Sequence, residues 1–144
     1  MPNAGLSKFN FQSGKTHLLR LINAGAEALQ RFTIDGYEMT IIANDFVPVE
    51  PYTREMITLG VGQRTDILVK AIGEPTDAVW MRSDVSGLCS SSNQPHALAA
   101  IYYESADTTE EPTTTATTYD DSHCGNVSIA KALKNKWNVK LILG

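Results

Sequence analysis

Three histidines and two cysteines are the side chains most suited to metal or redox chemistry in this 144-residue chain, and no two of the histidines stand together. His17 falls in an alternating apolar run, His96 follows a proline, and His123 sits beside Cys124. A copper or zinc centre needs imidazole and thiolate ligands converging on one point, so its signature in a sequence is clustered spacing. His-x-His and Cys-x-x-Cys are both absent, and His123-Cys124-Gly125 has no second histidine. The sequence therefore predicts no metal held by this chain. Cys89 and Cys124 have two readings: one disulfide in an oxidising compartment, or two thiols in a reducing one. Gly60-Val61-Gly62-Gln63-Arg64 lacks the third glycine of a dinucleotide-binding turn and reads as a link between strands. Neither Gly-x-Ser-x-Gly nor a phosphate-binding loop occurs.

The elements that must position these residues belong to an ordinary globular chain, with 42% hydrophobic and 19% charged residues. One domain of this size buries about 68–70% of its unfolded surface. A net charge of −4 argues against a nucleic-acid partner, which would require clustered Lys and Arg to neutralise phosphate. The one basic cluster, Lys131, Lys134, Lys136 and Lys140, reads as a solvated face. No apolar run approaches the ~20 residues that span a bilayer, so no membrane is predicted. The segment MPNAGLSKFNFQSGK has no signal-peptide core; a secreted parent would carry its signal further upstream. Asn126-Val127-Ser128 is a glycosylation sequon at Asn126.

Up to Ser105 the chain reads as strands: 6–12, 16–22, 30–34, 38–43, 53–59, 64–71, 78–84 and 97–104. About eight short strands at this spacing predict an all-β Greek-key sandwich or barrel. Alternation puts Phe32 with Ile34, Met39 with Ile41, and Ile67 with Val69 in the core. Asp35-Gly36 predicts a tight hairpin between 30–34 and 38–43, and Gly60 to Gly62 predicts a second pair, 53–59 with 64–71. Residues 24–29 (AGAEAL) are too few for a stable helix and read as a turn or a single helical loop at one end of the sandwich. From Ala106 to Ser122 the chain is Thr-rich and acidic, an extended surface linker that permits O-glycosylation. It turns apolar again towards VKLILG at the C-terminus.

RLIN, FTIDGY, MTIIANDFVPVEPY, GVGQRTDILVKA and SGLCSSSNQPHALAAIYYE together resemble one family. They are similar to the middle domain of fungal (ascomycete) laccases, which are multicopper oxidases with three copper-oxidase-type domains in one polypeptide. The resemblance runs from about Thr16 to Cys124. It implies a cupredoxin-like β-sandwich over residues 1–105, a linker over 106–125 and a segment over 126–144 leading towards a third domain. In that family copper is bound by the first and third domains, so the resemblance implies no cofactor in this chain and copper in the parent. The parent would oxidise phenols by one-electron steps, reduce dioxygen to water and be secreted. Its first and third domains would be the partners of this one, and the chain by itself would be inactive.

The resemblance also assigns roles to particular residues. Glu27, four residues after the end of RLIN, matches an acidic position that contacts the phenolic substrate, where a carboxylate can take the proton released on oxidation. Leu88 matches an apolar position of the same pocket, and a secreted parent would pair Cys89 with Cys124. Arg64 and Asp66 of GQRTD are expected to be structural neighbours on one strand face. Tyr37, Asn44 and Asp45 read as turn and strand-end residues; the family often has histidine at Tyr37, though not as a ligand. The competing reading is a stand-alone copper-free β-sandwich acting as a binding or structural module.

Overall fold

The structure is a computed structural model that describes residues 5–87 and 92–118. Nine strands occupy the described residues, with no helix among them: β1 (Ser7–Phe11), β2 (Thr16–Ile22), β3 (Gln30–Ile34), β4 (Met39–Asn44), β5 (Val47–Arg54), β6 (Met56–Leu59), β7 (Arg64–Lys70), β8 (Ala78–Val85) and β9 (His96–Tyr103). They form a five-stranded sheet in the order β1-β9-β8-β3-β6 and a four-stranded sheet in the order β2-β7-β4-β5. All pairings are antiparallel except β1 with β9.

The alternation that defines the strands also fills the space between the sheets. Phe32, Ile34, Met39, Ile41, Ile67 and Val69 are all buried, joined there by Val79 and Ile101. Burying one such side chain contributes about 1.5–3 kcal/mol. These residues are drawn from strands of both sheets, so neither sheet has a dry face without the other.

Two expected hairpins do not form, for one physical reason. β3 is an interior strand with β8 on one side and β6 on the other, which leaves no edge for β4. Asp35-Gly36 instead turns the chain out of the five-stranded sheet into the four-stranded one. The Asp35 N–H still bonds to the Trp80 carbonyl at 3.0 Å, Gly36 takes φ 77°, and the Tyr37 N–H closes the turn on the Ile34 carbonyl at 3.1 Å. Likewise β7 is enclosed by β2 and β4, so β6 cannot pair with it. The run expected as one strand over 53–59 breaks at Glu55, where the chain changes sheets between β5 and β6. A hairpin that was not expected joins β4 to β5 across Asp45 and Phe46.

The outer face of the five-stranded sheet carries its own apolar group, in which Trp80, Ala100 and Tyr102 pack with Leu6, Ala78 and Ala106. Segment 106–118 runs over this face without regular structure. It is tied down at several points. Lys8 Nζ donates to the Thr108 carbonyl at 2.6 Å, Tyr102 Oη donates to the Glu110 carbonyl at 2.8 Å, and Pro112 is buried. Thr114 makes the deepest contact: its hydroxyl accepts from the Trp80 N–H at 3.1 Å and donates to Asp35 Oδ2 at 2.8 Å. Arg82 grips the same carboxylate with two bonds of 2.8 and 2.7 Å. The Asp35 side chain is only 1% exposed, so the guanidinium and the hydroxyl replace the water it has lost.

Candidate functional site

Strand directions gather at one end of the sandwich the 23–29 loop, the Asp45-Phe46 turn, the 60–63 loop and the start of the link from β8 to β9. Asn23, the last residue of RLIN, organises this end. It is buried, and its amide Nδ2 donates to the carbonyls of Ala28 and Leu59, both at 3.0 Å. Oδ1 accepts the Gly25 N–H at 3.0 Å. Its backbone bonds to the 60–63 loop as well, accepting from the Gly62 N–H and donating to the Gln63 carbonyl. Ala28 takes φ 93° to bring its carbonyl round, a conformation that costs a non-glycine residue of order 1–3 kcal/mol.

Glu27 therefore lies in a short loop fixed at both ends, with its own side chain exposed to solvent. The loop is irregular rather than helical. The Ser86 N–H donates to the Leu29 carbonyl at 3.2 Å, joining the base of the Glu27 loop to the point where the chain leaves β8. Two residues further on comes Leu88, which lies outside the described residues, as do Cys89, Cys124, His123 and Asn126.

The remaining candidates take other roles. Arg64 and Asp66 do not pair with each other. Arg64 reaches Asp45 at 3.6 Å and donates to the Gly62 carbonyl at 2.8 Å, whereas Asp66 lies 3.8 Å from Arg20 on β2. Asn44 accepts from the Thr65 hydroxyl at 3.0 Å and so serves the β4–β7 junction. Asn44, Asp45, Tyr52 and Arg64 line a cleft of about 200 Å³, smaller than the ~300–1,000 Å³ of ordinary small-molecule sites. Tyr37 is buried in the core, its hydroxyl hydrogen-bonded to that of Tyr103, which also accepts the Gly73 N–H at 3.0 Å. Burial, with the Tyr103 hydrogen bond adding to it, pushes the Tyr37 phenol well above its ordinary pKa.

His17 and His96 stand at opposite ends of the molecule. The His17 ring stacks on Phe11 at 4.1 Å, and its Nε2 accepts the Gln12 N–H at 3.1 Å. His96 Nδ1 lies 2.8 Å from Asp84 Oδ1 on the outer face of the five-stranded sheet. Among the described residues no three His, Cys, Asp or Glu side chains could share a metal ion. Two dispersed imidazoles, each already bonded within the fold, do not fit the donor set of a copper centre.

Two packed β-sheets with these switches between them define the cupredoxin-like class of sandwich. The chain belongs to the multicopper oxidase family, whose profile matches residues 1–106. It is 38% identical over 109 residues to oxidoreductase OpS5 of Beauveria bassiana, covering 76% of this chain and 18% of that protein. It is 35% identical over 111 residues to laccase-2 of Botryotinia fuckeliana, covering 77% and 19%. The laccase of Botrytis aclada superposes with a TM-score of 0.76 at 35% identity, over 85% of this chain and 23% of that one. The chain thus spans about a fifth of the length of these curated relatives.

Sequence reasoning did not single out Asn23 or the group of Asp35, Arg82 and Thr114. Asn23 left a signal, an amide ending an apolar run just before Ala-Gly. Thr114 left none, since it is one threonine among many.

Proposed function

We propose that this domain is the copper-free middle domain of a laccase-like multicopper oxidase and forms one wall of its phenol pocket. The observation that carries the reading is the Glu27 loop, locked by Asn23 and joined by Leu29 to Ser86, so that it stands beside the segment leading to Leu88. Residues 1–105 form the sandwich, 106–125 a linker held by a Cys89–Cys124 disulfide, and 126–144 the passage towards a third domain. The parent is secreted, and Asn126 is a glycosylation site.

Copper held by the other domains supplies the one-electron acceptor. Glu27 handles the proton. Loss of one electron makes a phenol hydroxyl strongly acidic, and a carboxylate on a fixed loop accepts its proton as the phenoxyl radical forms. Leu88 gives the ring an apolar surface. The domain otherwise separates and orients the copper-binding domains, and the chain alone oxidises no phenol.

The test is Glu27→Gln in the parent enzyme, assayed with a phenol and with a donor that has no proton to lose. General-base assistance of about 10²-fold predicts a fall of that order in kcat/KM for the phenol, with a changed acid limb. The proton-free donor should be oxidised as before. Equal losses for both donors would point to damaged packing or electron transfer, and no loss for either would remove Glu27 from the mechanism.

A further inference from the structure

The turn between β4 and β5 breaks a local rule. Asp45 (φ 46°) and Phe46 (φ 69°) are consecutive non-glycine residues in the left-handed region. Two-residue hairpin turns of this hand favour Asn-Gly or Asp-Gly, because glycine has no Cβ to clash with the backbone. Phe46 stands where the glycine belongs, and it is 82% exposed. Such a ring gains almost no burial within the domain to set against the strain.

The tip is nevertheless held in place. The Asp45 N–H donates to the Arg64 carbonyl at 2.9 Å, and the Arg64 N–H donates to Asp45 Oδ1 at 3.0 Å. The Arg64 guanidinium lies 4.4 Å over the Phe46 ring. Further exposed apolar side chains lie at the same end of the sandwich. Ile22, the register partner of Arg64, is 63% exposed; Val47, next to Phe46, and Val61, beside the Gly62 that bonds to Asn23, are each 52% exposed. Four exposed apolar side chains thus stand on strand ends and loops at the end of the sandwich that carries Glu27, one of them directly under the guanidinium.

We propose that this corner is the seat of another domain of the same polypeptide, with the Phe46 ring as its anchor. The inference rests on the reading of the chain as one domain of a longer oxidase. The matched relatives are long enough to provide such a neighbour, since the chain covers only 18–19% of two of them. Interface centres favour aromatic side chains and arginine over lysine and glutamate, and an anchor works best when presented rigidly. The surface that meets the corner is an apolar pocket for the ring, edged by a carboxylate or carbonyl facing Arg64.

Hydroxyl-radical footprinting tests the contact without turnover, comparing the 144-residue chain with the longer polypeptide that contains it. Phe46, Ile22 and Val61 should be oxidised readily in the short chain and be strongly protected in the long one. Phe46→Gly supplies a second readout of opposite sign. Relief of the left-handed strain raises the Tm of the short chain, whereas loss of the anchor lowers that of the long one. Equal oxidation of Phe46 in both forms, or a raised Tm in both, overturns the proposal. Protection that appears in the short chain as its concentration rises also overturns it, assigning the corner to a second copy instead. A phenol pocket that fails the Glu27→Gln test leaves the footprint unchanged, so the two readings fail separately.

Discussion

Asn23 closes the loop that follows it by donating from its side-chain amide to the carbonyl of Ala28, at 3.0 Å. The same nitrogen reaches Leu59 on β6, so one side chain ties the loop to the edge of the five-stranded sheet. The shape of residues 24–28 is set by this amide rather than by any helical preference of Ala-Gly-Ala-Glu-Ala.

Asn23→Ala should therefore cost about 1–3 kcal/mol, because the buried Leu59 carbonyl and the part-buried groups of Gly25 and Ala28 lose their partner. Denaturant titration measures the loss. Amide exchange should accelerate at Gly25, whose N–H the side chain now holds, and far less in β4 and β7. A variant with unchanged stability and exchange would mean that the loop holds its shape without the amide.

Removing Arg82 should be more damaging than removing Thr114. Arg82→Met leaves the Asp35 carboxylate buried without its cation, a change typically worth about 3–5 kcal/mol. Thr114→Val removes one donor to that carboxylate and the acceptor of the Trp80 N–H, costing about 1–3 kcal/mol. The second variant should also make residues 106–118 more sensitive to limited proteolysis while the strands stay intact. If Thr114→Val resists protease like the parent sequence, the other contacts of the segment suffice to hold it.

Alkaline stability should report on Tyr37. Its phenol is raised in the folded chain by burial and by the Tyr103 hydroxyl, so its contribution is complete below the ordinary phenol pKa of about 10 and is lost as pH rises through the higher folded value. Stability of the natural sequence should fall as pH climbs above that point. Tyr37→Phe should flatten the fall. It costs only about 1 kcal/mol at neutral pH, since Tyr103 keeps the Gly73 N–H. Identical alkaline profiles for the two proteins would show that ionisation elsewhere governs the loss.

Sheet content and core were legible because alternation is local: β2 and β3 carry the expected bounds, and Phe32, Ile34, Met39, Ile41, Ile67 and Val69 are buried as their spacing required. Pairing was not legible. Asp35-Gly36 marks a turn in either case, but whether the chain folds back or crosses to the other sheet depends on β6 and β8 already flanking β3. Arg64 shows the same limit at the level of one side chain. Periodicity put it on one strand face with Asp66, but its ion partner is Asp45 of a neighbouring turn, which spacing along the strand does not reveal.

The contact between Thr114 and Asp35 bears on how members of this family can be recombined. Composition suggests Ser105 as a convenient splice point for chimeric polypeptides. A seam there would take Asp35, Trp80 and Arg82 from one parent and Thr114 from the other, so the buried carboxylate would depend on a hydroxyl selected in a different background. Chimeras joined beyond residue 118 keep the donor and its acceptor in a single inheritance.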